Sequence, residues 1–259
     1  MKKGVISSKN LFRYTVVGYL VLAVFFVSLT VHLERKNASP VSSQRLVPIY
    51  RVERDDKCIS LTVDAAWDNE YTSEIIRILD EYNVKITFFT AKLWADTYPD
   101  DIKALALAGH EIANHSATHP DMADLSTSAI QKELKDTWNI QKELAGAMAV
   151  RLFRAPFGSY SNTLIRECEK LGFYTVQWDI DSLDWKLKDP QTVIDRVLSN
   201  VSSGSIILMH NDSDVITTVL PTVLEALIKD GYRFVPVSQL IYTENFYIDQ
   251  QGTQHLIAQ

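Results

Sequence analysis

Short apolar segments alternate with amphipathic segments along most of this chain, and this alternation is the feature that most limits its possible folds. The β-rich runs at 59–63 and 205–209 are each followed by a segment with apolar residues at helical spacing, at 71–82 and 220–229. Repeated strand–helix units predict a mostly parallel sheet covered by helices. About seven such units in roughly 190 residues favour an irregular (β/α) barrel of the α/β class over an open sheet.

The first 33 residues do not follow this pattern. Four basic residues within positions 2–13 precede an uncharged run at 14–33, whose 20 residues match the length of a helix that crosses a bilayer core. We therefore expect a single transmembrane anchor at 14–33, with 1–13 in the cytoplasm by the positive-inside rule and the remainder outside it. A cleaved signal peptide is the alternative, although such peptides usually have a shorter apolar core.

Three further segments follow the expected anchor. Residues 34–51 include the polar stretch KNASPVSS and are predicted to be a linker, 52–242 carry the strand–helix units, and 243–259 are expected to be a loose C-terminal extension. The net charge of -6 gives no general basic surface for nucleic acid. Cys58 and Cys168 are too few for a disulfide framework and are interpreted as small apolar residues in or near the core.

The stretch LTVDAAWD ends the first buried run with a carboxylate, Asp64. Catalytic groups of parallel α/β barrels collect where strands end, so Asp64 is a candidate catalytic residue. Aspartate is also common at strand-to-helix turns, and a capping role is the alternative.

Two histidines, His115 and His119, follow a short apolar run at 111–113 in the stretch EIANHSATH. On a helical turn, this spacing would place both imidazoles on one face, which is a recurring arrangement of zinc ligands. Two surface histidines in a polar loop are the alternative. A catalytic zinc usually takes three protein ligands, so the pair does not complete a site.

Two more stretches carry polar groups at expected strand ends. Arg154 in RLFRAPFG can hold a carboxylate bidentately or be a surface arginine at a turn. WDIDSLDW at 178–185 combines aspartates with two tryptophans, as a sugar-binding groove does, although Trp178 is expected to pack in the core. His210 ends an apolar strand and is either structural or, with a carboxylate beside it, a general acid.

In their order and content, these stretches resemble the polysaccharide deacetylases, the NodB-homology domain of metal-dependent carbohydrate esterases. That family has a strand ending in T-F-D-D-G, followed by H-S/T-x-x-H, R-x-P-Y/F-G, Asp-Trp and Leu-x-His. This chain has T-V-D-A-A at 62–66, H-S-A-T-H at 115–119, R-A-P-F-G at 154–158, D-W at 184–185 and L-M-H at 208–210. No single match is decisive, but the ordered set is highly specific.

The resemblance implies hydrolysis of N-acetyl groups on an amino-sugar polymer, and it implies a role for each matching residue. His115 and His119 match two ligands of a divalent metal, typically zinc, with cobalt or nickel also possible. Asp64 matches the general base, and Arg154 matches the residue that orients it. The other matches are the Phe157 amide as oxyanion donor, His210 as general acid, Asp184 as its partner, and Trp185 and Leu208 as lining of the acetyl pocket and sugar groove.

One position departs from the family pattern. The metal-binding aspartate that should follow the base is Ala65, and the family's glycine is Ala66. Three outcomes are open: Asp68 replaces the missing ligand, water fills the position beside the two histidines, or the site has lost metal and activity. We therefore expect a working or partly working deacetylase, with a non-catalytic glycan-binding domain as the alternative.

The expected location points to a polymer of the cell exterior. A membrane-anchored domain outside the cytoplasm meets cell-wall peptidoglycan first, with chitin-like oligomers as the next candidate. An O-acetyl esterase acting on xylan is a further alternative, because the same chemistry cleaves esters.

Overall fold

The computed structural model describes residues 45–257, together with Leu22, residues 24–26 and Ser28. The chain divides into two compact units, 1–44 and 45–259. The described residues of the first unit are helical, and the rest of the predicted anchor at 14–33 lies outside the described residues. Within the described part of the chain, no helix is both long and apolar enough to cross a membrane.

Eight parallel strands form the main sheet of the second unit. The strands of this unit are β1 (Arg51–Val52), β2 (Cys58–Ala65), β3 (Thr87–Thr90), β4 (Glu111–Asn114), β5 (Ala149–Phe153), β6 (Tyr174–Thr175), β7 (Ile180–Asp181), β8 (Ile206–His210), β9 (Arg233–Phe234), β10 (Phe246–Ile248) and β11 (Thr253–Leu256). Along the main sheet the order is β6-β5-β4-β3-β2-β8-β7, and β9 pairs with the beginning of β2. Every residue of β2 is buried, as expected for a central parallel strand.

Helices follow most strands of this sheet, as the alternation predicts. They are α1 (Thr72–Glu81), α2 (Lys92–Thr97), α3 (Pro99–Leu107), α4 (Thr127–Ala145), α5 (Asn162–Lys170), α6 (Pro190–Leu198), α7 (Ile216–Lys229) and α8 (Val237–Leu240). The helix predicted at 71–82 is confirmed to within one residue at each end, and the helix predicted at 220–229 begins four residues earlier, at Ile216. Ser126 caps α4, because its side chain accepts a hydrogen bond from the Ala129 amide.

The sheet and its helices form an open, irregular (β/α) barrel, which confirms the predicted α/β class. Among the described strands, the two at the ends of the sheet order, β6 and β7, do not pair with each other. Ile49 bridges to Val176 just beyond β6 and is buried, so the compact unit includes residues that the sequence assigned to the linker. Cys58 and Cys168 are free and buried, as expected.

Alternate residues of β2 face different surroundings, and this places Asp64. Ile59, Leu61 and Val63 belong to the largest apolar cluster, which also takes in residues of α1, α2, α3, α6 and α7. Thr62 and Asp64 point to the opposite face because successive strand side chains alternate. The catalytic candidate therefore lies inside the barrel, at the carboxyl end of its central strand.

The C-terminal segment is ordered, so the expectation of a loose extension is wrong. β10 and β11 form an antiparallel hairpin, and β11 pairs in parallel with β1. Gly252 precedes β11 with a φ of +84°, and a Cβ there would lie 2.3 Å from the Tyr50 ring, so this close approach requires glycine. His255 lies between two carboxylates, 2.7 Å from Glu53 and 3.0 Å from Asp249. The sequence did not reveal the pairing of β11 with β1, because these two strands lie near opposite ends of the domain's sequence.

Candidate active site

The carboxyl ends of the central strands surround a cavity of about 470 Å³. The parallel register of β2 and β8 aligns Asp64 with His210, which brings two distant motifs together. Every predicted site residue lines the cavity except Arg154, Asp184 and Asp68. The lining consists of Asp64, Ala66, Trp67, His115, His119, Phe157, Trp178, Asp181, Trp185, Leu208, His210 and Asp212.

Arg154 holds Asp64 from behind the cavity. Its Nη1 donates to Asp64 Oδ1 at 2.6 Å and to Thr62 Oγ1 at 2.9 Å, and its Nη2 donates to the Gln177 carbonyl at 3.0 Å. Burial by itself opposes ionisation of Asp64, but the Arg154 charge and nearby histidines outweigh it, so the pKa of Asp64 lies below its usual value. Asp64 is therefore an oriented carboxylate anion at neutral pH, as a general base must be.

His210 has a carboxylate partner of its own. Its Nδ1 lies 2.8 Å from Asp184 Oδ1, and its backbone amide donates to Asp184 Oδ2 at 2.9 Å. Burial alone lowers the pKa of His210, but the hydrogen bond and charge of Asp184 outweigh burial and raise it above the usual value. Because Nδ1 is engaged, Nε2 is the nitrogen through which a protonated His210 can act on a ligand in the cavity.

His115 and His119 lie in a loop, so the helical turn that motivated their pairing is wrong. Positive φ values of 68° at Ser116 and 56° at His119 turn the backbone after β4. The loop is held because Asn114 Oδ1 accepts from the Ser116 amide and Glu133 accepts from two further loop amides. The two imidazoles still meet, with ring centroids 5.0 Å apart. Local polar contacts, rather than helical periodicity, bring the two rings together.

The two histidines fit a metal site individually. His115 Nδ1 lies 2.9 Å from the Arg154 carbonyl oxygen, as in most metal-ligating histidines, and its Nε2 lies 3.6 Å from Asp64 Oδ2. Burial lowers the pKa of His115, and burial together with His115 lowers the pKa of His119 to about 4. Both rings are therefore neutral at pH 7, the form that binds metal.

The third ligand does not fit. Ala65 occupies its position and is fully buried. Asp68 is exposed, lies outside the cavity lining, and is tied by its backbone carbonyl, which accepts from Trp94 Nε1 and Asn211 Nδ2. Within residues 45–257, no group of three or more His, Cys, Asp or Glu residues is arranged to hold a metal ion. The structure therefore gives no support to Asp68 as the substitute ligand, and zinc binding stays a prediction.

Aromatic side chains surround the mouth of the cavity. Trp67, Phe157 and Trp185 are 56%, 71% and 55% exposed. Phe157 has a φ of 59°, which is uncommon for a residue with a side chain, and its ring contacts the His119 ring at 4.7 Å. Trp67 contacts the same imidazole at 5.2 Å. Flat apolar faces beside polar groups suit the stacking of sugar rings.

Five residues of this lining were absent from the predicted site. Trp178, expected in the core, packs against it and also lines the cavity. Trp67 and Asp212 were given no role, Asp181 was only one of the aspartates in WDIDSLDW, and Ala66 was noted only where the family has glycine. A signal was available for two of them, because Trp67 lies three positions after Asp64 and Asp212 lies two after His210.

Comparison with known proteins identifies a matching family and several relatives of this chain. The family model described as polysaccharide deacetylase matches residues 51–176. The peptidoglycan-N-acetylglucosamine deacetylase of Bacillus cereus is 31% identical over 193 residues, which are 71% of this chain and 68% of that protein. The protein YlxY of Bacillus subtilis is 33% identical over 211 residues, which are 82% of this chain and 66% of YlxY.

A solved structure shows the same fold. BA3943 of Bacillus anthracis, described as a CE4 family pseudoenzyme, matches with a TM-score of 0.72 at 32% identity, covering 75% of this chain and 68% of that one. A BA3943 mutant described as having restored enzymatic activity matches with the same TM-score at 34% identity.

An α/β barrel with a paired aspartate and a paired histidine facing one aromatic-rimmed cavity defines a carbohydrate-active hydrolase fold and site. The chain belongs to the polysaccharide deacetylase family, and that membership classes it with the carbohydrate de-N-acetylases. Its relatives include a protein named as a deacetylase and a protein described as a pseudoenzyme. The function of this chain therefore has to be inferred from its own site residues.

Proposed function

We propose that this chain hydrolyses N-acetyl groups on an amino-sugar polymer. The observation that carries the proposal is that Asp64 and His210 face one cavity, and each is ion-paired to a buried partner. These two side chains have opposite pKa shifts, which suits one for accepting a proton and the other for donating one.

Each residue then has one task in the reaction. Asp64 takes a proton from the water whose oxygen attacks the acetyl carbonyl carbon. The Phe157 amide donates a hydrogen bond to the oxygen that gains negative charge. His210 gives its proton to the sugar nitrogen as the carbon–nitrogen bond breaks, so that acetate and a free amine leave. Because residues 45–257 offer no group of three metal ligands, no step is assigned to a metal.

The proposed substrate follows from location and relatives. We place the domain outside the cytoplasm on an anchor at 14–33, where cell-wall peptidoglycan is the first polymer it meets. The names of the B. cereus deacetylase and of PdaA of B. subtilis, a peptidoglycan-N-acetylmuramic acid deacetylase, favour this polymer. Chitin-like oligomers come next, because chitooligosaccharide deacetylases are also relatives.

A second candidate function is glycan binding without turnover. Ala65 favours it, because the family's third metal ligand is missing, and so does the pseudoenzyme status of BA3943. The exposed aromatic rim would retain a sugar chain without any chemistry.

Acetate release tests the first function against the second. The full-length chain in mild detergent is incubated with N-acetylglucosamine oligomers and with peptidoglycan, with and without added zinc, cobalt or nickel, and bound metal is measured. Acetate release that Asp64→Asn abolishes is the expected result. If no polymer yields acetate under any metal condition, while the oligomers are retained and Trp185→Ala weakens that retention, the binding function is correct instead.

A further inference from the structure

Each of the two ion pairs of the site has a net charge of about zero. Asp64 and Arg154 lie 2.6 Å apart, and His210 and Asp184 lie 2.8 Å apart. Each pair holds one carboxylate and one cation, so neither pair gives the cavity a net charge.

Two more carboxylates line the cavity, and the one cation of the lining, His210, is already paired with Asp184. These are Asp181, at the end of β7, and Asp212, just beyond β8. Lys188 interacts electrostatically with Asp212 but is ion-paired with Asp214 at 2.6 Å, and Arg154 is committed to the other ion pair. Among the residues that line the cavity, no lysine or arginine is present. The cavity therefore has a surplus of negative charge.

The walls around this surplus are aromatic. Trp67, Phe157 and Trp185 expose more than half of their surfaces at the mouth, and Trp178 lines the interior. Aromatic faces attract ammonium groups through the negative potential of the ring, and carboxylates attract them directly. Carboxylates beside aromatic rings suit a cation attached to a flat, partly apolar body, and a protonated amino sugar is such a ligand.

The alanine at position 65, where the family has a metal-binding aspartate, also favours a protonated amino sugar as the ligand. A divalent ion held by three ligands would offset the surplus carboxylates, but Ala65 removes the third ligand. A charged amine carried by the sugar can provide the balancing charge instead. The proposed reaction generates this group, since hydrolysis of each N-acetyl bond leaves an amine.

We propose that the cavity prefers amino-sugar units with a free, protonated amine, and that this chain binds a partly de-N-acetylated polymer more tightly than the fully acetylated one. The inference rests on the proposed function for its polymer class. Its ligand is supplied by N-deacetylation, whether this chain or another enzyme performs it.

Three tetrasaccharides with the same β-1,4 linkage test the preference. They differ only at carbon 2, which carries an amine in the glucosamine tetramer, an acetamide in the N-acetylglucosamine tetramer and a hydroxyl in cellotetraose. Affinities are measured by titration calorimetry on the full-length chain at about pH 6, where sugar amines are largely protonated. We expect the amine form to bind at least about fivefold more tightly than either neutral form, which is the order of one partly solvated charge pair.

Charge variants show whether the named carboxylates are responsible. Asp212→Asn and Asp181→Asn are each expected to weaken binding of the glucosamine tetramer about three- to tenfold and leave cellotetraose unchanged. Asp100→Asn is the matched control, because it makes the same charge change at an exposed residue outside the cavity. Raising the salt concentration should reduce only the preference for the amine.

The preference is overturned if the acetylated tetramer binds as tightly as the amine form, or if neither variant changes the amine preference. Thermal melting of each variant checks that the fold is kept. The outcome is separable from the proposed function. Acetate release without amine preference removes this inference alone, while amine preference without acetate release removes the hydrolytic function and leaves a binder of free-amine glycans.

Discussion

The two halves of the cavity differ in how completely their polar groups are partnered. In the half that handles protons, Asp64 and His210 each have a buried ion-pair partner, and their backbone positions are fixed by adjacent strands. In the half that faces the histidine loop, His119 Nδ1 is buried without a hydrogen-bond partner in the described structure, and the third ligand position is Ala65.

This difference shows that the two functions of such a site are structurally separable. The residues proposed to move protons are part of the barrel's interior, because Arg154 is completely buried and its side chain bonds both β2 and the Gln177 carbonyl. The predicted metal ligands extend from a loop and a strand end, where one side chain can change without disturbing that interior. A chain can therefore lose its third metal ligand and keep its acid and base.

The largest expected effect comes from breaking the ion pair at the base. Arg154→Met should lower the free energy of unfolding by about 3–5 kcal/mol, because it leaves the Asp64 charge buried without a partner. Denaturant unfolding of the full-length chain measures this loss. Asp64→Asn in the same chain should recover much of it, since the unpaired charge is then gone. His119→Ala is the matched change in the other half, and a loss as large as that of Arg154→Met would contradict the comparison.

Restoring the missing ligand is the next test. Ala65→Asp should tighten zinc binding by more than the about 10- to 100-fold that an outer-shell partner contributes. Without zinc, the same variant should melt at a lower temperature, because the new carboxylate is buried. Ala65→Asn is the matched control, and equal zinc affinity of the two variants would show that the loop geometry has diverged. Asp68→Ala should leave zinc affinity unchanged, since Asp68 is exposed outside the cavity.

The acid side should respond through pH. The raised pKa of His210 keeps its ring protonated to higher pH, and burial alone would lower that pKa. Asp184→Asn should therefore lower the pKa of His210 and move the alkaline limb of acetate release to lower pH. NMR titration of the His210 ring measures the shift without activity. A pKa of His210 that does not fall in the variant would show that Asp184 does not control this proton.

How much of this could be read from the sequence depends on whether a residue's partners are local. Asp64, His115, Arg154 and His210 each follow an apolar strand, and the parallel barrel brings such positions together, so the sequence predicted their meeting. Asp181 was hidden because nothing in WDIDSLDW distinguishes the aspartate that faces the cavity from Asp184, which lies behind it.

The predictions for the histidine loop and for the C-terminal segment were wrong for different reasons. The spacing of His115 and His119 fits a helical turn, but the side chains of Asn114 and Glu133 accept hydrogen bonds from loop amides and favour a loop with two positive φ values. The last strand, β11, pairs with Arg51–Val52, and a pairing over such a separation has no local signal.

The smallest expected effect lies outside the cavity, at His255. Like His210, this histidine is paired with carboxylates, so the two can be compared. Hydrogen bonds that the His255 ring donates to Asp249 and Glu53 raise the pKa of His255. Its ion pairs therefore stabilise the fold below its unfolded pKa of about 6.5 and lose this contribution as pH rises through the raised folded value. His255→Gln should lower stability by less than about 1 kcal/mol at acidic pH and by less still at alkaline pH, because solvent screens these partners. Thermal melting across pH measures the difference, and a pH-independent loss would contradict it.

The parallel pairing of β1 with β11 has a consequence for how the domain resists damage. The amides of Tyr50 and Glu53 donate to the carbonyls of Gly252 and Gln254, so the final strand fastens the first across some two hundred intervening residues. A single proteolytic cut near Asp249 would thus loosen the beginning of the domain as well as its end, and β1 would then rely on its bonds to 202–204 and on the bridge at Ile49.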